Sequence, residues 1–140
     1  MNYPELSRKV QEYVHSVFES RKDKSLLYHN LAHTQKVVRE AARITEHYQL
    51  NEKDRFIVST AAWFHDTGYL EDYNHHEIKG VEMAVAWLRK QSIDGEITLA
   101  ISNCILATRM PQSAQTRLEE IVCDADMFQL GTDDFTVNNK

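Results

Sequence analysis

Ala61-Ala62-Trp63-Phe64-His65-Asp66-Thr67-Gly68-Tyr69 closes an apolar helical run with an imidazole and a carboxylate side by side. Asn51 is a good N-cap and Glu52 suits the first turn. From there Phe56, Ile57, Thr60, Ala61, Phe64 and His65 recur at helical spacing, so the helix turns His65 inward. Gly68 is expected to stop it, because glycine takes the left-handed conformation after a helix C-cap without a Cβ penalty. Adjacent residues on a regular helix point about 100° apart. His65 and Asp66 therefore reach one ion only where the helix tightens or ends.

The surrounding composition narrows the class. The chain has 140 residues, 42% hydrophobic and 26% charged, with 4 Gly and 2 Pro, which is enough for one domain with a real core. It carries no internal repeat, low-complexity tract or alternating strand pattern. The net charge is −5 with both signs interspersed, so no basic stripe is available for a nucleic acid polymer. No stretch approaches the roughly 20 apolar residues of a membrane span, and Glu5, Arg8 and Lys9 leave no room for a signal-peptide core. A cytoplasmic protein is expected. Cys104 and Cys123 fall among apolar helical neighbours and read as buried free thiols.

Five further helices follow from periodicity. Pro4 opens the first, whose stripe is Leu6, Val10, Tyr13, Val14, Val17 and Phe18, to about Ser20. The charged connector 21–25 leads to a second, where His33 lies one turn before Val37 on the stripe that continues through Ala41, Ile44 and Tyr48. It should face the interior, where an imidazole needs a partner. His29 stands near that helix start, and Asn30 is a capping candidate. A loop over 67–74 precedes a fourth helix with His75, His76 and Glu77 in its first turn and Ile78, Val81, Ala84, Val85 and Leu88 as its stripe. Gly95 separates it from a fifth, containing Ile97, Ala100, Ile101, Cys104, Ile105 and Thr108, with Pro111 at or after its end. The sixth carries Leu118, Ile121, Val122, Ala125 and Phe128, with Asp124 and Asp126, and is expected to break at Gly131. His15 and His47 fall on solvated faces, and Trp63 and Trp87 read as core.

The order His33, then His65-Asp66, then an aspartate of the last helix resembles the HD superfamily of metal-dependent phosphohydrolases. The flanks add to the likeness: His33 followed by Thr34 and Val37, Ala62 to Gly68, His76 followed by Gly80, and Cys123-Asp124-Ala125-Asp126. Tyr28 to Thr34 and Ala107 to Pro111 look most like a small predicted-phosphohydrolase branch with no single agreed substrate. The resemblance implies an all-α, single HD-type bundle of five or six helices around a buried metal site. It divides the chain into an N-terminal helix and connector (1–27), a metal-binding core (28–131) and a tail (132–140), either frayed or the cut end of a longer domain.

The resemblance further implies that His33, His65, Asp66 and a downstream aspartate hold a divalent ion. Asp124 and Asp126 lie about equally far from the centre of their stripe, so periodicity does not choose between them. The family's small residue before its metal aspartate, here Ala125, favours Asp126, and the other carboxylate would orient a ligand histidine. Two imidazoles and two carboxylates suit manganese, iron, cobalt, nickel or zinc, with magnesium also open. The implied activity is hydrolysis of a phosphate ester of a nucleotide or other small metabolite by a metal-activated water. Asp66 would take a proton, and His75, His76 or Glu77 would protonate a leaving oxygen, contact phosphate or ligate a second ion. Arg109 is a candidate phosphate clamp. Rival readings are a non-catalytic, metal-bearing nucleotide sensor or interaction module, a two-iron oxidase using His75 or His76, and a purely structural helical domain. No membrane partner is expected; a homo-oligomer stays open.

Overall fold

The computed structural model describes residues 1–20, 24–70, 75–109 and 112–138. Six helices follow in order: α1 (Tyr3–Glu19), α2 (Lys24–His47), α3 (Glu52–Phe64), α4 (His76–Lys90), α5 (Gly95–Ala107) and α6 (Arg117–Asn138), with a 3-10 turn, Thr67–Leu70, between α3 and α4. No strand occurs among the described residues. The all-α bundle expected from the sequence is what the chain forms.

α3 is the axle, packing against all five other helices. Phe56, Ile57 and Val58 are buried, as is every residue from Thr60 to Phe64, so it is enclosed on all sides rather than along one stripe. Asn51 caps it through a bond from the Asp54 amide to Asn51 Oδ1 of 2.8 Å. Around it lie Val10, Val14 and Phe18 of α1, Val37 and Ala41 of α2, Leu88 of α4, Ile101 and Ile105 of α5, and Val122 and Ala125 of α6. Each such buried side chain of valine size or larger contributes about 1.5–3 kcal/mol. Trp63 and Trp87 are core, as expected.

Several local expectations change. Gly68 is not left-handed; no described glycine has positive φ. The left-handed positions that end α2 and α4 belong to Gln49 (φ 55°) and Ser92 (φ 58°). Gly68 is needed instead for proximity, since a Cβ there would stand 1.8 Å from the His76 carbonyl oxygen. A Cβ on Gly80 would likewise stand 2.8 Å from the Phe64 carbonyl oxygen. That approach turns the Glu77–Gly80–Ala84 row of α4 inward; of the expected stripe Ala84 and Leu88 are buried and Val81 packs against the core, whereas Ile78 is exposed.

Gly95 is the first residue of α5 rather than a separator, with Asp94 as the cap. Asn30 lies within α2, which begins at Lys24. α6 continues through Gly131 to Asn138; a glycine inside a helix costs only about 1 kcal/mol. His15 is half-buried, with its ring 5.5 Å from that of Trp63 and its Nε2 3.3 Å from Gln35 Nε2, whereas His47 is exposed. Cys104 and Cys123 are buried free thiols. Burial pushes the Cys104 thiol up to about 12. No described helix is long and apolar enough to cross a membrane.

Candidate metal centre

Three helices deliver four side chains to one point beside the end of α3. His65 is the C-cap residue of α3 and Asp66 follows it, before the chain tightens into the 3-10 turn. The break from regular helix lets the two neighbours converge: His65 Nε2 lies 3.2 Å from Asp66 Oδ2. His33, from the middle of α2, places its Nε2 3.5 Å from Asp66 Oδ2 and 3.2 Å from Asp126 Oδ1. Asp126 Oδ1, from α6, is also 3.5 Å from His65 Nε2. His33, His65 and Asp66 offer ligand atoms that all lie within 4.8 Å of one another.

The donor set fits a cation. For bonds of about 2.1 Å, ligand atoms stand roughly 3.0 Å apart at right angles and roughly 3.4 Å apart at the tetrahedral angle. The two 3.2 Å spacings lie in that range and the two 3.5 Å spacings just beyond it. His65 is fully enclosed, and its Nδ1 donates to the Ala62 carbonyl oxygen at 2.7 Å, which fixes the tautomer of the neutral ring so that, once deprotonated, Nε2 would be the lone-pair nitrogen. That Nε2 is buried without a hydrogen bond, although two carboxylates face it. Leaving a buried polar atom unmatched costs about 1–3 kcal/mol, and an ion between these groups removes the deficit.

The electrostatics point the same way. Burial by itself would lower the His65 imidazole, yet the charge of Asp66 and the contact with Asp126 raise it well above its ordinary value. Burial would raise Asp126, but the imidazoles of His33 and His65 hold it well below the carboxylate range. Asp66 is lowered in the same manner, chiefly by His65. The pocket between two imidazoles and two carboxylates thus favours positive charge.

Further contacts extend outward from Asp66 to α4. α4 begins against the 3-10 turn, and His76 Nε2 lies 3.7 Å from Asp66 Oδ1 and 2.9 Å from Glu77 Oε2. Glu77 is buried. The structure therefore brings together His33, His65, Asp66, Asp126, His76 and Glu77. Asp124 is placed elsewhere: it is exposed and lines a groove between α2 and α6 with Glu40, Tyr48 and Arg117. α6 turns its Ile121–Val122–Ala125 face into the bundle and tilts the Asp126 edge toward α3, a choice that depends on packing rather than periodicity. His75 and Arg109 are exposed, and the side chain of His29 lies outside the described residues.

One contact was not foreseen. Gln112, on the connector from α5 to α6, donates from Nε2 to Asp126 Oδ2 at 3.4 Å. Its one sequence signal is adjacency to the Ala107 to Pro111 stretch.

A comparison with curated proteins found no match, nor did one with solved structures. A family model for the HD domain matches residues 30–131, which include His33, His65-Asp66, His76, Glu77, Gln112 and Asp126. The match spans most of the chain and every residue of the cluster, and by it this protein belongs to the HD domain family of the metal-dependent phosphohydrolase superfamily.

Proposed function

We propose that this protein hydrolyses a phosphate ester of a nucleotide or another small metabolite. The observation that carries this reading is the buried, unmatched Nε2 of His65 facing two carboxylates, with a carboxylate-backed histidine beside one of them. His33, His65, Asp66 and Asp126 would hold one divalent ion. Bound there, the ion would supply Lewis-acid charge for the phosphate and lower a water's pKa from 15.7 to about 7.

The remaining work falls to the chain's own groups. Asp66 has its Oδ2 toward the imidazole pair and its Oδ1 toward His76, so it can accept the proton that the attacking water loses. His76 Nε2, held by Glu77, supplies a proton to the departing oxygen as the phosphorus–oxygen bond breaks. Burial of Glu77 keeps that imidazole in one orientation. Each cycle moves one proton onto Asp66 and one off His76, and exchange between these neighbours restores both.

The test is elemental analysis of the purified protein together with phosphate release from a panel of nucleotides with added manganese, in wild type and in Asp66→Ala. About one metal per chain and hydrolysis abolished by the substitution is the expected result. Bound metal without turnover on any substrate would favour the sensor reading. Absence of metal under every condition would overturn the centre itself.

A further inference from the structure

The two carboxylates of the cluster have different outer partners. Asp66 Oδ1 faces an ionisable imidazole, His76. Asp126 Oδ2 faces the neutral amide of Gln112, and its Oδ1 is left for His33 and His65. We infer that Gln112 is a positioning residue, whose amide N–H fixes the Asp126 carboxylate so that Oδ1 points into the cation site. The inference rests on the metal-centre reading.

The chemistry suits that task. Asp126 sits on a helix whose neighbouring Asp124 points to the outer groove, and an aspartate has little side chain with which to hold one rotamer. A single donor on Oδ2 selects the rotamer that offers Oδ1. An amide does so without adding charge, whereas a lysine or arginine at this place would repel the ion that the carboxylate is there to hold. Gln112 also ties the α5–α6 connector to the centre. Neighbours that orient a ligand in this way are typically worth 10–100-fold in metal affinity.

The experiment is a titration of metal-free full-length protein with cobalt(II), following the visible absorption of the bound ion, in wild type, Gln112→Ala and Gln112→Met. Methionine keeps the length and packing of the side chain but donates nothing. Cobalt binding 10–100-fold weaker in both variants, with melting of the metal-free proteins unchanged, is the expected result. Rescue by methionine would make the role one of packing and overturn the inference, as would wild-type affinity in both variants. If wild type itself binds no cobalt, the metal-centre reading falls and this inference with it; normal wild-type binding with unaffected variants defeats this inference alone.

Discussion

Asp66 and Asp126 make similar contacts with the imidazole pair, yet they are mounted differently. Asp66 stands where α3 gives way to a 3-10 turn, and that turn is locked to the start of α4 by two glycines that admit no Cβ. Asp126 stands inside α6 and is steadied by one amide from a connector. The first carboxylate is joined to a proton-carrying pair, His76 and Glu77; the second is joined to a group that carries no proton to exchange. In the proposed reaction, that difference would separate a side that takes part in proton transfer from a side that anchors.

The largest expected effect tests that division directly. Asp66→Asn keeps the shape of the side chain and removes the base, so kcat for phosphate release should fall by about 10²–10⁴ even at saturating manganese. Asp126→Asn should instead raise the manganese requirement, with much of the rate recovered as the metal is increased. Equal, metal-irreversible losses in both variants would dissolve the distinction. Next in size is His76→Gln, expected to cost about 10²-fold in kcat, with Glu77→Gln costing less because it acts through His76. Neither should alter cobalt binding, and a large change in affinity would make His76 a ligand rather than a proton carrier.

The glycine junction gives a third test, on stability as well as rate. Gly80→Ala puts a methyl 2.8 Å from the Phe64 carbonyl oxygen, so α4 must shift. Overpacking of this kind costs about 1–3 kcal/mol, which a lower melting temperature would register. Because α4 carries His76 and neither His33 nor Asp126, turnover should drop more than cobalt affinity does. Parallel losses would mean that the junction supports the whole centre and not one side of it.

The legibility of these features in the sequence followed their physical basis. α3 is readable because apolar residues at helical spacing and the Asn51 cap encode it locally. His33, His65 and Asp66 are readable because each lies on, or at the end of, such a pattern. Periodicity does not separate Asp126 from Asp124, since both stand at similar angles to the stripe; the resemblance favours Asp126 through Ala125, and the packing of α6 sets the two apart. Most of the inner face of α4 follows its apolar stripe, with Ala84 and Leu88 buried and Val81 against the core, but Ile78 is exposed and Gly80 faces α3 for its small size, a property hydrophobicity does not record. Gly68 was assigned a conformation when its role is clearance, while Gln49 and Ser92 hold the left-handed positions with side chains that do not advertise them. Gln112 sits in a connector without periodicity, so nothing local ties it to a residue 14 positions away.

The smallest expected effect concerns the metal-free protein, in which the same charges govern stability. Asp66 and Asp126 have folded pKa values below the ordinary 3.8, so their contribution is present above that value and is lost as the pH falls through the lower folded ones. His65 is raised above 6.5, so its contribution is complete below 6.5 and is lost as the pH rises through the folded value. Thermal melts of metal-free protein should therefore show a plateau between about pH 4 and 6.5 with losses on both sides, each no steeper than about 1.4 kcal/mol per pH unit for each proton. Manganese should remove the alkaline loss, because the ion needs His65 deprotonated and replaces the proton held between the carboxylates. Since the charge of Asp66 is the largest influence raising His65, Asp66→Asn should pull the alkaline limb to lower pH more than Asp126→Asn does. The reverse order would place the stronger partner of His65 on α6 and exchange the roles assigned to the two sides.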